Sequence, residues 1–306
     1  MSNKIAVLFG GKSLEKNISL QSCKAILRAL KKLKISAYGL DICDFPIFNL
    51  KKYGFTKVFI AVHGKFGEDG ILQSILDYIN IPYTGSRMLP TAITINKHLT
   101  KTIWKAYNLP VYPHFLLNKI DFTEKNYINI KNKCLSLKLP IFIKPNCSGS
   151  SLGIIKINSI DKLLMGIEKA FNYSNEILLE KYIQGTEYTI GILNNITLPI
   201  IKIDYPGIFY DYNNKYNNNL TKYLCPSDLT QQKEYELSQL ALKAWNILNC
   251  SGWGRIDVIL DKKKSFQLLE INTVPGMTKN SLYPKAAKQY GLSFNKLVLS
   301  ILNMAR

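Results

Sequence analysis

The 306-residue sequence predicts an α/β and α+β protein in which an N-terminal doubly wound parallel sheet is followed by a mixed α+β region. Two observations predict this. Over the first third, continuous apolar runs such as "KIAVLFGG" and "KVFIAVHG" alternate with amphipathic segments. That is the pattern of parallel strands covered by helices on both faces. Beyond about residue 95, strands follow one another through short turns and one glycine- and serine-rich loop, "NCSGSSLG".

The elements follow in order. "KIAVLFGG" is a buried strand entering a glycine turn, and Leu20, Cys23, Leu27 and Leu30 then recur at helical spacing. "KVFIAVHG" is a second buried strand ending at His63-Gly64, and Leu72, Ile75, Leu76 and Ile79 mark another helix. Ligands of such sheets bind beyond the carboxyl ends of the strands, and Glu15 and His63 lie just past two of them. "KHLTKTIWKAYNLP" reads as a short helix stopped near Pro110, "LPIFIKP" as a strand and "GIIKI" as its return. A helix over 161–171 precedes the strand "EILLEKYI", and "EYTIGIL" with "ITLPIIKI" reads as a hairpin. Residues 204–220 form a long polar and aromatic loop, a length that marks a functional or disordered segment. A helix over 231–248, the strands "GWGRIDVIL" and "SFQLLEIN", and two further helices complete the chain.

Composition removes several function classes. Apolar residues make up 47% of the chain, enough for real cores, yet no run is long enough to span a bilayer. The first residues lack the basic start and apolar run of a signal peptide, so a cytoplasmic location is expected. The six cysteines have no metal-ligand or redox spacing, and only three histidines are present, which argues against zinc. The net charge of +19 suggests nucleic acid or a membrane surface as one reading. The other reading is a coding bias: Lys, Asn, Ile and Tyr are inflated together, and the lysines are scattered with no basic helix. The second is preferred, with no nucleic-acid or membrane partner.

Chemistry concentrates in Trp253 to Asn272. Two strands joined by a polar turn around Asp261 to Lys264 would bring Asp257 beside Glu270 and Asn272. Side chains two apart on a strand share a face, so Glu270 and Asn272 point together, as do Arg255 and Asp257. Two carboxylates and an amide oxygen are the hard ligands that magnesium prefers, completed by water and phosphate oxygens. The alternative is an ordinary polar hairpin, against which stand the apolar neighbours on both strands. Lys144 ends a buried strand and leads into "NCSGSSLG", whose backbone N–H groups can cradle phosphate, although no G-K-[ST] follows. Lys97 opens a helix and reads by itself as a solvated lysine. The break in "LLEKYIQGTEYTI" can present backbone groups to a base edge, with Glu187 within reach of ribose hydroxyls.

Taken jointly, a strand lysine, a glycine-rich lid, an acidic hinge and D…E-x-N resemble the ATP-grasp superfamily. Within it, "LFGGKSLEKNISL", "HGKFGEDG", "PYTGS", "FYDYNNKY", "GWGRIDV" and "EINTVPGMTKNSL" resemble the signatures of the D-alanine–D-alanine ligase family over essentially the whole length. The resemblance implies a two-lobed ATP-grasp fold, with a substrate domain over 1–95, a central lobe with the lid over 96–183, and a C-terminal lobe with the long loop and metal site over 184–306. It implies ATP, two magnesium ions that manganese can replace, two molecules of D-alanine, a homodimer, and a role in making peptidoglycan precursors.

Roles carried over by position are as follows. Lys97, Lys144 and Ser151 match phosphate contacts, and Lys215 a clamp on the γ-phosphate. Glu180, Lys181, Tyr182 and Ile183 match the adenine hinge, and Glu187 the ribose contact. Asp257, Glu270 and Asn272 match the metal ligands. Glu15 matches the carboxylate that holds the first D-alanine's ammonium, with Ser150 and Tyr216 as its hydrogen-bonding partners and His63 nearby. Arg255 and the Gly276 N–H match oxyanion stabilisers, and Ser281 with the Leu282 N–H the grip on the second D-alanine's carboxylate. Departures are Cys147-Ser148 where an Arg-Glu pair is usual, Lys12 and Asn17 for Thr and Glu, and Val274 for a small polar residue. A D-lactate-using ligase is the nearest rival; it commonly has a histidine near the Tyr216 position, where this chain keeps tyrosine. Another ATP-grasp carboxylate–amine ligase would share the nucleotide site and differ at Glu15, Ser150 and Ser281.

Overall fold

The computed structural model describes residues 4–13, 15–149, 153–207 and 220–306. The first sheet has the order β2-β1-β3 and is parallel, formed by β1 (Lys4–Phe9), β2 (Ala37–Asp41) and β3 (Phe55–Ile60). Ile5 to Leu8 are all buried, as a strand covered on both faces requires. Helix α1 (Lys16–Lys32) turns Cys23, Ile26, Ala29 and Leu30 onto β1 and β2. After α2 (Ile71–Tyr78), Tyr83 pairs with Val58 through a single parallel bridge. The chain's last helices, α8 (Leu282–Gln289) and α9 (Phe294–Asn303), return to this sheet. Leu297, Val298, Ile301 and Leu302 join the same apolar core, and α9 packs on α1.

The second sheet is antiparallel, with the order β4-β7-β5-β6: β4 (His114–Asn118), β5 (Ile141–Pro145), β6 (Ile155–Ile157) and β7 (Glu176–Lys181). Helices α5 (Glu124–Leu137) and α6 (Leu163–Phe171) close its core around Ile141, Ile143, Ile177 and Leu179. The third sheet is also antiparallel, with the order β11-β10-β8-β12-β13 and β9 beside β8. Its strands are β8 (Gly185–Leu193), β9 (Ile196–Thr197), β10 (Ile201–Asp204), β11 (Lys222–Leu224), β12 (Trp253–Asp261) and β13 (Phe266–Asn272). Helix α7 (Gln231–Ile247) lays Leu237, Ala241, Ala244 and Trp245 across it. Two short helices, α3 (Met88–Ile95) and α4 (Lys97–Ala106), lie between the sheets, where Trp104 Nε1 donates to the Ala244 carbonyl at 3.1 Å.

The expected hairpin forms through Asn194-Asn195, both at positive φ (50° and 61°), the conformation that a tight two-residue turn requires. Strand β3 is shorter than expected. Its pairing ends at Ile60, and His63-Gly64 belong to the following loop, where Gly64 takes φ +71°. The helix over 161–171 opens as a single 3₁₀ turn at Ile160–Lys162. Strands β2, β4 and β11 and helices α3 and α5 were not expected. β2, β4 and β11 are half exposed and carry no long apolar run. Most of the 204–220 loop lies outside the described residues.

Candidate active site

The hairpin of β12 and β13 takes the register that the sequence implies. Arg255 faces Asn272 and Asp257 faces Glu270, with a bulge just after Asp257. The turn is held by Asp261, whose Oδ1 accepts from the N–H groups of Lys263 and Ser265. Asp257 is buried, and Arg255 grips it with two bonds, Nε to Oδ1 at 2.9 Å and Nη2 to Oδ2 at 2.7 Å. Such bidentate pairs are the strongest of the charge-assisted bonds. Thr189 Oγ1 on β8 adds a third bond to Asp257 at 2.6 Å. Glu270 Oε2 stands 3.3 Å from the ammonium of Lys97. With its amide oriented to satisfy both neighbours, Asn272 donates to Glu68 Oε1 at 2.7 Å and accepts from Arg255 Nη2 at 3.2 Å. Asp257 and Glu270 on facing strand positions and Asn272 opposite Arg255 offer the hard oxygen donors that a divalent cation takes. Among the described residues, no group of three or more His, Cys, Asp or Glu is placed to hold a metal.

Helix α4 presents the lysines. Asn96 caps it, accepting from the Leu99 N–H at 2.9 Å, and Asn146 at the end of β5 accepts from the His98 N–H at 2.9 Å. This cross-link fixes the helix start beside the end of β5. Lys97 lies in the first turn, where a cation opposes the helix dipole, and Glu270 offsets it. The same ammonium donates to the Ser148 carbonyl at 2.7 Å. One turn further, Lys101 is 2% exposed and lies 3.1 Å from Glu180 Oε2. Lys144 on β5 engages the other oxygen, Glu180 Oε1. Burial alone would raise the Glu180 pKa, but Lys101 and then Lys144 outweigh it and hold the carboxyl well below its ordinary range. After Glu180 the backbone N–H groups of Lys181 and Tyr182 bond to the carbonyls of Pro113 and Pro140, and Ile183 is buried at the break before β8. Glu187 follows on β8.

A cavity of about 570 Å³ gathers Glu15, His63, Lys97, Arg255, Glu270, Asn272, Gly276, Ser281 and Leu282. Asp257, Lys144, Glu180 to Ile183 and Glu187 are not in its lining; Asp257 lies beneath Arg255. Glu15 stands just before α1 without a side-chain capping bond, and its carboxylate lies against two glycines. A Cβ on Gly64 would stand 2.7 Å from Glu15 Oε2, and one on Gly149 3.0 Å. Residue 64 also takes φ +71°, which glycine adopts at least cost. His63 is buried and neutral, its pKa lowered chiefly by burial. Its Nδ1 donates to the Val274 carbonyl at 2.8 Å, and its Nε2 bonds to Ser22 Oγ at 3.1 Å. Ser22 Oγ in turn accepts from the Met277 N–H at 3.1 Å. His63 therefore ties the first sheet to the exit of β13. Ser281 stands just before α8 with its Oγ turned back to accept from the Thr278 N–H at 3.0 Å, and Leu282 opens the helix; both line the cavity. Gly276 sits against Ser281 Oγ.

Two family models match the chain: "D-ala D-ala ligase C-terminus" over residues 103–303 and "D-ala D-ala ligase N-terminus" over residues 44–86. The chain is 52% identical to the D-alanine–D-alanine ligase of Buchnera aphidicola subsp. Schizaphis graminum (strain Sg), over 99% of both chains. The chain belongs to the D-alanine–D-alanine ligase family. Two crystal structures of the Bacillus anthracis family member superpose on it. One gives a TM-score of 0.86 at 30% identity, covering 99% of this chain and 97% of that one. The other, complexed with ATP, gives 0.85 at 28% identity over the same shares.

Four residues assigned to this family's site from the sequence, Ser150, Ser151, Lys215 and Tyr216, lie outside the described residues. Four others were missed. Lys101 is four residues after Lys97 in "KHLTK" and so shares its helix face, a spacing that was available but reads as a solvated charge. Glu68 stands inside the quoted "HGKFGEDG". It is buried, and it accepts from the Gly64 N–H at 2.6 Å and from the Val274 N–H at 3.3 Å. Ser22 and Thr189 carry no local signal, because their partners lie far along the chain.

Proposed function

We propose that the protein joins two molecules of D-alanine into D-alanyl-D-alanine, converting ATP to ADP and phosphate through a D-alanyl phosphate. The observation that carries this is one cavity lined by Glu15, Arg255, Glu270 and Asn272, beside the strand pair that sets Asp257 opposite Glu270. Membership of the ligase family supports the same reading. So does the superposition on a family member crystallised with ATP.

A carboxylate resists attack by an amine. In this reading Glu15 holds the ammonium of the first D-alanine, and the terminal phosphoryl group of ATP passes to one of its carboxylate oxygens. Lys97 and Lys144 place positive charge along the phosphates, and most of the rate enhancement is positioning and electrostatics. Asp257, Glu270 and Asn272 would hold magnesium, which supplies charge neutralisation on the phosphate oxygens when bound. Ser281 and the Leu282 N–H hold the carboxylate of the second D-alanine. Its amine, having lost a proton, attacks the carbonyl carbon. Arg255 and the Gly276 N–H receive the oxyanion, and the C–O bond to phosphate then breaks. Hinge residues Glu180 to Ile183 and the ribose contact Glu187 orient the nucleotide. In the same reading Ser151 and Lys215 contact the phosphates, and Ser150 and Tyr216 are the hydrogen-bonding partners of Glu15; water must be kept from the acyl phosphate. A homodimer in the cytoplasm, in three units over 1–95, 96–183 and 184–306, completes the proposal; no helix among the described residues is long and apolar enough to cross a membrane.

Phosphate release in the presence of ATP, magnesium and D-alanine is the deciding assay, with L-alanine giving none. Release of ADP only when D-lactate is present would overturn dipeptide formation. Glu15→Gln is expected to raise the KM for the first D-alanine at least about tenfold, the loss of a charge-assisted bond, while ATP affinity holds. A fall in ATP affinity instead would remove Glu15 from the substrate subsite.

A further inference from the structure

We propose that Lys101 is a positioning residue that allows Lys144 to move between Glu180 and the phosphates of ATP. The inference rests on the nucleotide reading above and deepens it. Glu180 is 2% exposed and has two ammonium partners, one on each oxygen. They are not equivalent. Lys101 is 2% exposed and comes from the helix α4 beneath the sheet, whereas Lys144 is 16% exposed and ends β5 where the lid begins.

A buried carboxylate stripped of every partner is strongly unfavourable. With Lys144 as its only partner, Glu180 would hold that ammonium against any incoming phosphate. With Lys101 in place, the three groups carry a net charge of +1, and removal of Lys144 still leaves a closed one-to-one pair. Lys101 also donates to the Leu268 carbonyl of β13 at 3.4 Å, which anchors it to the strand bearing Glu270 and Asn272. The inner lysine is therefore the permanent counter-ion, and the outer one is free to transfer. Desolvation accounts for the order: an ammonium this deep has no water to go to, while Lys144 borders the lid.

The test is calorimetric binding of ATP and of adenosine to full-length variants, read as the ratio of the two affinities. Lys101→Met, close to lysine in length and without charge, is expected to lower that ratio about 10- to 100-fold, the range of one charge-assisted contact, with adenosine affinity unchanged. Glu180→Gln added to Lys101→Met is expected to restore the ratio, because Lys144 is then released. An unchanged ratio in Lys101→Met overturns the proposal. So does an equal loss of ATP and adenosine affinity that the second substitution fails to repair. If Lys101→Met does not fold, Glu180→Gln is compared with the double variant. Equal ratios support the proposal, and a double variant at least about tenfold weaker for ATP overturns it. Wild-type protein that binds no ATP would remove the nucleotide site itself, whereas normal ATP binding with an indifferent Lys101→Met removes only the role of Lys101.

Discussion

Glu180 shows how one buried charge shapes behaviour with pH. Its pKa lies below the ordinary 4.5 because Lys101 and Lys144 outweigh burial. Between the two values the unfolded chain binds the proton and the folded chain does not. The stabilisation is therefore complete above 4.5 and is lost as pH falls toward the folded value. Urea unfolding from about pH 6 to about pH 3 should show a steep acid limb in the wild type. Glu180→Gln should flatten that limb and lower stability at neutral pH by about 3–5 kcal/mol, since Lys101 is left buried without its counter-charge. At this scale the sequence was informative where spacing alone decides geometry. Asp257, Glu270 and Asn272 were legible because strand pairing places them. Lys101 and Glu68 were not, because their significance comes from partners 79 and 206 residues away, at Glu180 and Val274. Arg255 sits among the predicted ligands, yet its pairing with Asp257 could not be read from alternation, which says only that the two share a face.

Among the elements, α4 does the most to place the site. It is held by the Asn96 cap and by Asn146 reaching from β5, and it sets Lys97 and Lys101 one turn apart. Asn96→Ala should cost about 1 kcal/mol of stability, the usual price of a lost cap. It should also raise the KM for ATP more than that for D-alanine, because the lysines follow the helix; steady-state kinetics with each substrate varied would check this. Elements with a continuous apolar run or a clear helical stripe were legible, as β1, α1, α2 and β13 show. Helix α5 was not. Only Ile130, Cys134 and Leu137 are buried along its 14 residues, and its Asn and Lys positions mask the stripe. Strand β3 ends at Ile60, short of the His63-Gly64 end that "KVFIAVHG" implies, because Ala61, Val62 and His63 remain buried after pairing ends.

For the whole molecule, segments far apart in the chain line one cavity and are tied by contacts such as His63 with Val274. A ligand bound there must stabilise the entire fold. Magnesium and ATP at about 100 times the Kd should add about 2.7 kcal/mol and raise the Tm by a few degrees, and Glu15→Gln should keep that shift. Differential scanning fluorimetry would measure both. The net charge of +19 is a property of the whole surface and was legible only as a number. Duplex DNA should produce no comparable shift at physiological salt.

The return of α9 to the first sheet bears on how the chain is made. β3 ends at Ile60, and the helix that completes its core begins at Phe294. At ordinary rates of translation those segments emerge on the order of 10–50 s apart. For that interval the apolar faces of α1 and β1 have no final cover. Apolar surface left uncovered for that long makes the growing chain aggregation-prone until the final helix docks.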